Sequence, residues 1–173
     1  VTDPNVFASD WEVDFSETPV RMRAVRVGHA AGARELGASV YELEAGGVVS
    51  PYHRHHANEE LLVVLEGSPE LRTPEGTRRL PRGAVVTFLP GPDGAHQVRN
   101  PGPDTVRVLL ISTMRFPEIA EHVSTGTTLA MTGPGEGKAF PDGGDRDFLE
   151  LYQQAIARDA AGAAGSGDSA AGR

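Results

Sequence analysis

His53, His55 and His56, followed by Glu59 and Glu60 and joined further on by a lone His96, are the residues whose types and spacing could hold a metal ion. Successive side chains of a strand alternate faces, so His53 and His55 point the same way, about 7 Å apart along the chain. A bend at 56–58 lets the chain reverse, after which Glu60 opens an apolar strand, Leu61 to Leu65, and returns a carboxylate toward the same point. Parity puts Glu60 with Leu62 and Val64 and leaves Glu59 on the opposite face, so Glu60 is the preferred ligand. His56 has the wrong parity and reads as a solvent-facing or outer residue. His96 follows the turn Pro90-Gly91-Pro92-Asp93-Gly94 and opens the next strand, from which it could supply a fourth ligand. Three imidazoles and one carboxylate suit one borderline divalent ion (Mn, Fe, Co, Ni, Cu or Zn), and six-coordination would leave positions for substrate, water or dioxygen.

Composition bounds what such a pocket can belong to. A chain of 173 residues buries a substantial core within one domain. The absence of cysteine excludes disulfides, zinc-thiolate sites, iron-sulfur clusters and thiol nucleophiles, leaving imidazole and carboxylate as the strong ligands. With 16 Lys and Arg against 24 Asp and Glu, the net charge of -8 gives no global positive field, so nucleic acid is not an expected partner. No apolar run approaches the roughly 18 residues a membrane span needs, and residues 1–14 are polar and acidic, unlike a secretory leader. The expectation is a cytoplasmic protein without membrane contact.

The elements that must position the histidines are strands. Gly and Pro recur between short β-type runs, the pattern of an all-β sandwich or barrel. Strands are expected over 20–27, 38–43, 48–53, 60–65, 70–72, 78–80, 84–89, 96–99, 106–113 and 127–131. Parity turns Tyr41, Leu43, Val49, Leu62, Val64, Phe88, Val98, Val108 and Leu110 inward. The chain divides into an N-terminal arm (1–19), a barrel (20–115), an extension (116–159) with one amphipathic helix near 147–158, and a disordered tail (160–173). Gly133-Pro134-Gly135-Glu136-Gly137-Lys138 lacks the first glycine and the Ser or Thr of a phosphate loop and reads as a flexible connection. His29 and His122 read as surface histidines.

The two histidine segments resemble the paired motifs of the cupin superfamily, in the manner of small single-domain, type-2-like members. The first, G-x5-H-x-H-x4-E-x6-G, is met in full by Gly47, His53, His55, Glu60 and Gly67. The second, G-x5-P-x-G-x2-H-x3-N, is met by Gly83, Gly94, His96 and Asn100, with Pro90 one place late and only Ala95 between Gly94 and His96. The resemblance implies a double-stranded β-helix, jelly-roll-like barrel with a short C-terminal helix, and an ion held by His53, His55, Glu60 and His96. A metal-dependent dioxygenase, isomerase or lyase acting on a small organic molecule is one reading. A non-catalytic module that binds or senses a small ligand, with a structural metal or none, is the other. Tyr41, Tyr52 and Gln97 are the only further polar candidates near the site, so the residues leave turnover open. The strand Leu61 to Leu65 is apolar on both faces and its outer side needs cover, which makes a homodimer the expected assembly.

Overall fold

Strand β5 (Glu60–Glu66) shows why the chain folds as packed sheets: Leu62 and Val64 are buried, while Leu61, Val63 and Leu65 on its other face are half-buried. Fully burying one such side chain is worth about 1.5–3 kcal/mol, so each strand of this kind must find a facing apolar layer. The computed structural model describes residues 3–141. The helix expected near 147–158 and the tail at 160–173 lie outside the described residues.

The other elements are β1 (Val13–Asp14), β2 (Met22–Val25), a single helical turn α1 (Val27–Ala30), β3 (Gly37–Leu43), β4 (His53–His55), β6 (Glu70–Thr73), β7 (Gly76–Arg79), β8 (Val85–Phe88), a 3-10 turn (Pro92–Gly94), β9 (Gln97–Arg99), β10 (Val106–Ser112), β11 (Glu118–His122), β12 (Thr127–Gly133) and β13 (Glu136–Phe140). They form a six-stranded sheet in the order β1-β2-β3-β10-β5-β8, a four-stranded sheet β13-β12-β11-β4 and a three-stranded sheet β7-β6-β9. All the named strand pairings are antiparallel. The sheets do not close into one continuous hydrogen-bonded barrel; isolated bridges, His53 with His96 and Val48 with Arg99, join segments between them. The architecture is nearly all-β, as the sequence implied.

The residues that parity turned inward do face the core: Leu43, Leu62, Val64, Phe88, Val98, Val108 and Leu110 belong to its buried cluster, and Tyr41 and Val49 pack against it. Two glycines explain their positions in the motifs. A Cβ on Gly94 would overlap the carbonyl oxygen of Leu89, and one on Gly47 would overlap that of Arg21, so no other residue fits these close backbone approaches. Asn100 is a structural residue: its buried Nδ2 donates to the carbonyls of Leu43 (3.0 Å) and Asp104 (2.8 Å) while its Oδ1 accepts from the Gly102 amide.

Three local expectations change. The strand expected over 48–53 is a bridge at Val48 followed by a bend over 49–52, and a strand starts only at His53. Glu118–His122 forms β11 where no strand was read, and the supposed flexible connection holds β13, which pairs with β12 across a turn at Pro134-Gly135. The N-terminal arm is held by Arg107, whose buried guanidinium bonds Glu42 (2.5 Å), reaches the Val6 carbonyl and lies 5.1 Å from the centre of the Trp11 ring.

Candidate metal centre

Strand β4 begins and ends on a histidine, and two sets of backbone hydrogen bonds place it. The amide of His53 donates to the His96 carbonyl (3.1 Å) and the amide of His96 donates back to His53 (2.8 Å), which sets these two residues directly opposite each other. On its other side β4 pairs with β11, His55 opposite Ala120 and His53 opposite His122. Glu60, the first residue of β5, lies between Phe88 of β8 and Ser112 of β10.

The four side chains singled out from the sequence converge. Nε2 of His53 is 3.1 Å from Nε2 of His55, and Glu60 Oε2 is 3.3 Å from His55 Nε2 and 3.2 Å from His96 Nε2. One donor atom from each of His53, Glu60 and His96 lies within 4.8 Å of the others. His55 approaches from one side, its ring centre 6.3 Å from that of His96. Nitrogen and oxygen ligands about 2.0–2.2 Å from an ion stand roughly 3 Å from their neighbours, so the observed separations suit one shared ion.

The outer nitrogens sharpen this fit. Nδ1 of His53 lies 2.9 Å from the Pro51 carbonyl and Nδ1 of His96 lies 2.9 Å from that of Gly94. A carbonyl only accepts, so both imidazoles carry their proton on Nδ1 and turn the Nε2 lone pair inward, the tautomer a metal ligand needs. The ring plane of His96 is fixed further by Phe88, stacked on it at 3.7 Å between centres and 6° between planes. His96 Nε2 and Glu60 Oε2 are buried without a hydrogen-bond partner, lone pairs left pointing at a common place.

For His53, electrostatics favours the same neutral state. Burial, then the neighbouring His96 and His55, pushes His53 down to about 4, which leaves it neutral at physiological pH. Burial opposes the charge of Glu60, but the facing His55 and His96 outweigh it and hold the carboxyl well below the usual carboxylate range. Burial also works against a charged His55, yet Glu60 and then Glu118 prevail and raise it. Tyr41 is raised by burial first and by the Glu60 charge second, so its hydroxyl stays protonated.

Sequence reading missed two residues of this region. Glu118, 1 % exposed, accepts from the backbone amide of His56 (2.9 Å), from that of Ala57 and from Asn58 Nδ2, and lies 3.6 Å from His55 Nδ1. His122, expected at the surface, is half-buried with its ring 6.3 Å from that of His53, and burial lowers its pKa. Conversely, His56 stays outside as parity required, bonding Glu121 at 2.7 Å, and Glu59 is exposed.

A cleft of about 290 Å³ opens beside the centre, with Tyr41, His55, Glu60, Leu110, Ser112 and Met131 among its walls. A wider depression of about 650 Å³ beside Ser16, Arg21 and Glu44 is shallow and holds no imidazole. Of the other polar candidates, Gln97 bonds the Ser50 carbonyl and Tyr52 lies buried beneath the Arg72 guanidinium. Tyr41 alone of the three lines the cleft.

The sequence profile of the cupin domain matches residues 39–112, the span that carries all four converging side chains. Those residues form a cupin domain. This cupin has the fold of a sugar phosphate isomerase from Silicibacter pomeroyi (TM-score 0.66, 23% identity, 75% of this chain and 82% of that one). It also matches a candidate sugar phosphate isomerase from Acidithiobacillus ferrooxidans (TM-score 0.68, 24% identity, 80% and 88%). The polyketide cyclase RemF from Streptomyces resistomycificus shares less of the fold with this cupin (TM-score 0.51, 23% identity, 63% and 78%). No curated protein matches the chain. These solved structures establish a common fold that carries different chemistries, so the reaction must be argued from the site.

Proposed function

We propose that this cupin is a metal-dependent enzyme that holds one divalent transition ion through His53, His55, Glu60 and His96 and acts on a small organic molecule in the adjoining cleft. The observation that carries the reading is the inward aim of the lone pairs, with the Nδ1 protons of His53 and His96 tied to backbone carbonyls. An ion bound there would act as a Lewis acid on a carbonyl or hydroxyl oxygen of the substrate. The chain's own part is to hold the His53 imidazole neutral, to keep Glu60 ionised as the single anionic ligand, and to present the protonated Tyr41 hydroxyl on the cleft wall as a hydrogen-bond donor. Leu110 and Met131 exclude water from one side of the bound molecule.

Elemental analysis tests the centre. Wild-type protein offered Mn, Fe, Co, Ni, Cu and Zn in turn is expected to retain about one ion per chain, and the His53→Ala, His96→Ala double variant to retain none. Equal retention by the two proteins, or no stoichiometric retention by either, defeats the reading. An oxygen-uptake and turnover screen of the loaded protein against small enols, diketones and catechols then separates catalysis from simple binding.

We also propose a homodimer formed through the outer face of the six-stranded sheet. There Val85 is 60 % exposed and stands opposite Val63, which is opposite Leu109, with Leu61 and Ile111 on the same half-exposed face. Sedimentation equilibrium is expected to give twice the chain mass for wild type and the single mass for Val85→Lys.

A further inference from the structure

The cleft beside the centre does not end at its own walls. A second chamber of about 220 Å³ adjoins it and shares Arg26, Gly37, Ser39, Met114 and Pro134 as a common boundary. Two arginines and a histidine line this chamber: Arg26, and from α1 and the turn after it His29 and Arg34. Strand parity could not reveal them, because none lies on an inward strand position. A side chain at residue 37 would drive into Met114 Sδ, so Gly37 lets that thioether sit against the boundary as part of an apolar wall with Leu36 and Pro134.

In a chain of net charge -8, two guanidinium groups on one small cavity next to a ligand cleft are a local reversal of sign. Arg26 is partly engaged: its Nε donates to Glu12 at 2.7 Å, leaving its Nη atoms for a further acceptor. A guanidinium presents paired donors that match the two oxygens of a carboxylate or phosphate.

We infer that this chamber binds an oxyanion, carboxylate or phosphate, and that the molecule taken by the metal cleft is an elongated anion. Its anionic end would lie on Arg26 and Arg34, its apolar body along Leu36, Met114 and Pro134, and its other end at the centre. The substrate class rests on the metal-dependent reading above; the anion chamber does not, since no arginine is a candidate ligand of the ion.

The test uses the full chain stripped of metal, with inorganic phosphate and acetate titrated separately and followed by two-dimensional NMR of backbone amides and arginine Nε groups. The expected result is saturable shifts at Arg26, Arg34 and the amides of residues 36–39, with the tighter of the two anions naming the chemical type of the end group. Arg34→Ala is expected to weaken binding at least about threefold, the loss of one exposed charge-assisted pair, and Glu12→Gln to tighten it by a similar factor by releasing Arg26. A gain in the second variant cannot come from misfolding. Shifts confined to the histidine cluster, no saturation with either anion, or unchanged affinity in both variants overturns the inference. Metal retention by Arg34→Ala, measured on the same samples, is expected to equal that of wild type. Anion binding in a protein that retains no ion when each metal is offered back would sink the metal-dependent reading and leave this site standing.

Discussion

Strands β5 and β10 run through two ends of the molecule that are built on opposite terms. At one end Leu62, Val64, Val106 and Val108 join Leu43, Leu71 and Val98 in an apolar interior, where the buried Asn100 side chain is fully hydrogen-bonded to backbone. At the other, where β5 starts at Glu60 and β10 ends at Ser112, the layer between the sheets is imidazole and carboxylate. Among the described residues the buried side-chain polar atoms without a hydrogen-bond partner are His55 Nδ1, Glu60 Oε2, His96 Nε2 and Arg107 Nε, so three of the four belong to this end. An unpaired buried polar group costs about 1–3 kcal/mol, so the imidazole end strains the fold that the apolar end supports. The difference teaches that stability and ligand chemistry have been segregated along the same strands.

That division can be broken most forcefully at the apolar end. Leu62→Ala is expected to lower unfolding free energy by about 2–5 kcal/mol in urea titrations, while the folded protein keeps wild-type metal stoichiometry. Loss of metal in step with stability would mean the two ends are not separable. At the boundary, Glu118→Ala should cost about 1–3 kcal/mol, because the half-buried Ala57 amide loses its acceptor and the buried Asn58 Nδ2 loses one of its two. Glu118→Gln keeps an acceptor there and separates the two effects: metal affinity is expected to fall about tenfold by competition titration, with a changed His55 nitrogen spectrum. An affinity unchanged by Gln would make Glu118 purely architectural. The smallest effect is expected at the surface, where Glu121→Ala removes the partner of Arg54 and His56 and should change stability by less than about 1 kcal/mol without altering metal retention.

The imidazole end was the more legible of the two in the sequence because its residues are close along the chain. His53, His55 and Glu60 are related by strand parity and a single reversal, and one bridge brings His96 to them. Parity also oriented the apolar residues correctly, since burial on one face imposes a period of two. The first histidine strand was misplaced because Ser50-Pro51 belongs to a turn; Val48 and Val49 before it look like strand residues but make only an isolated bridge, to Arg99 and Val98, rather than a ladder. Strand β11 went unread because Glu118, Glu121 and His122 give it a polar pattern; its strand state comes from pairing on both sides, with β4 and β12. For the same reason Glu118 carried no signal of its own. Its proximity to His55 depends on a register between strands more than sixty residues apart. The arginines of the second chamber were hidden because a helical turn and a loop, not a strand, present them.

Trp11 is the only tryptophan of the chain, and it rests near Arg107. Tryptophan emission, excited selectively over the three tyrosines, therefore reports on the N-terminal arm. A cation pulls emission from the indole face differently from water, so release of the arm should register as a change in intensity and wavelength before the sheets come apart. The molecule carries its own optical gauge for one segment, readable without any label.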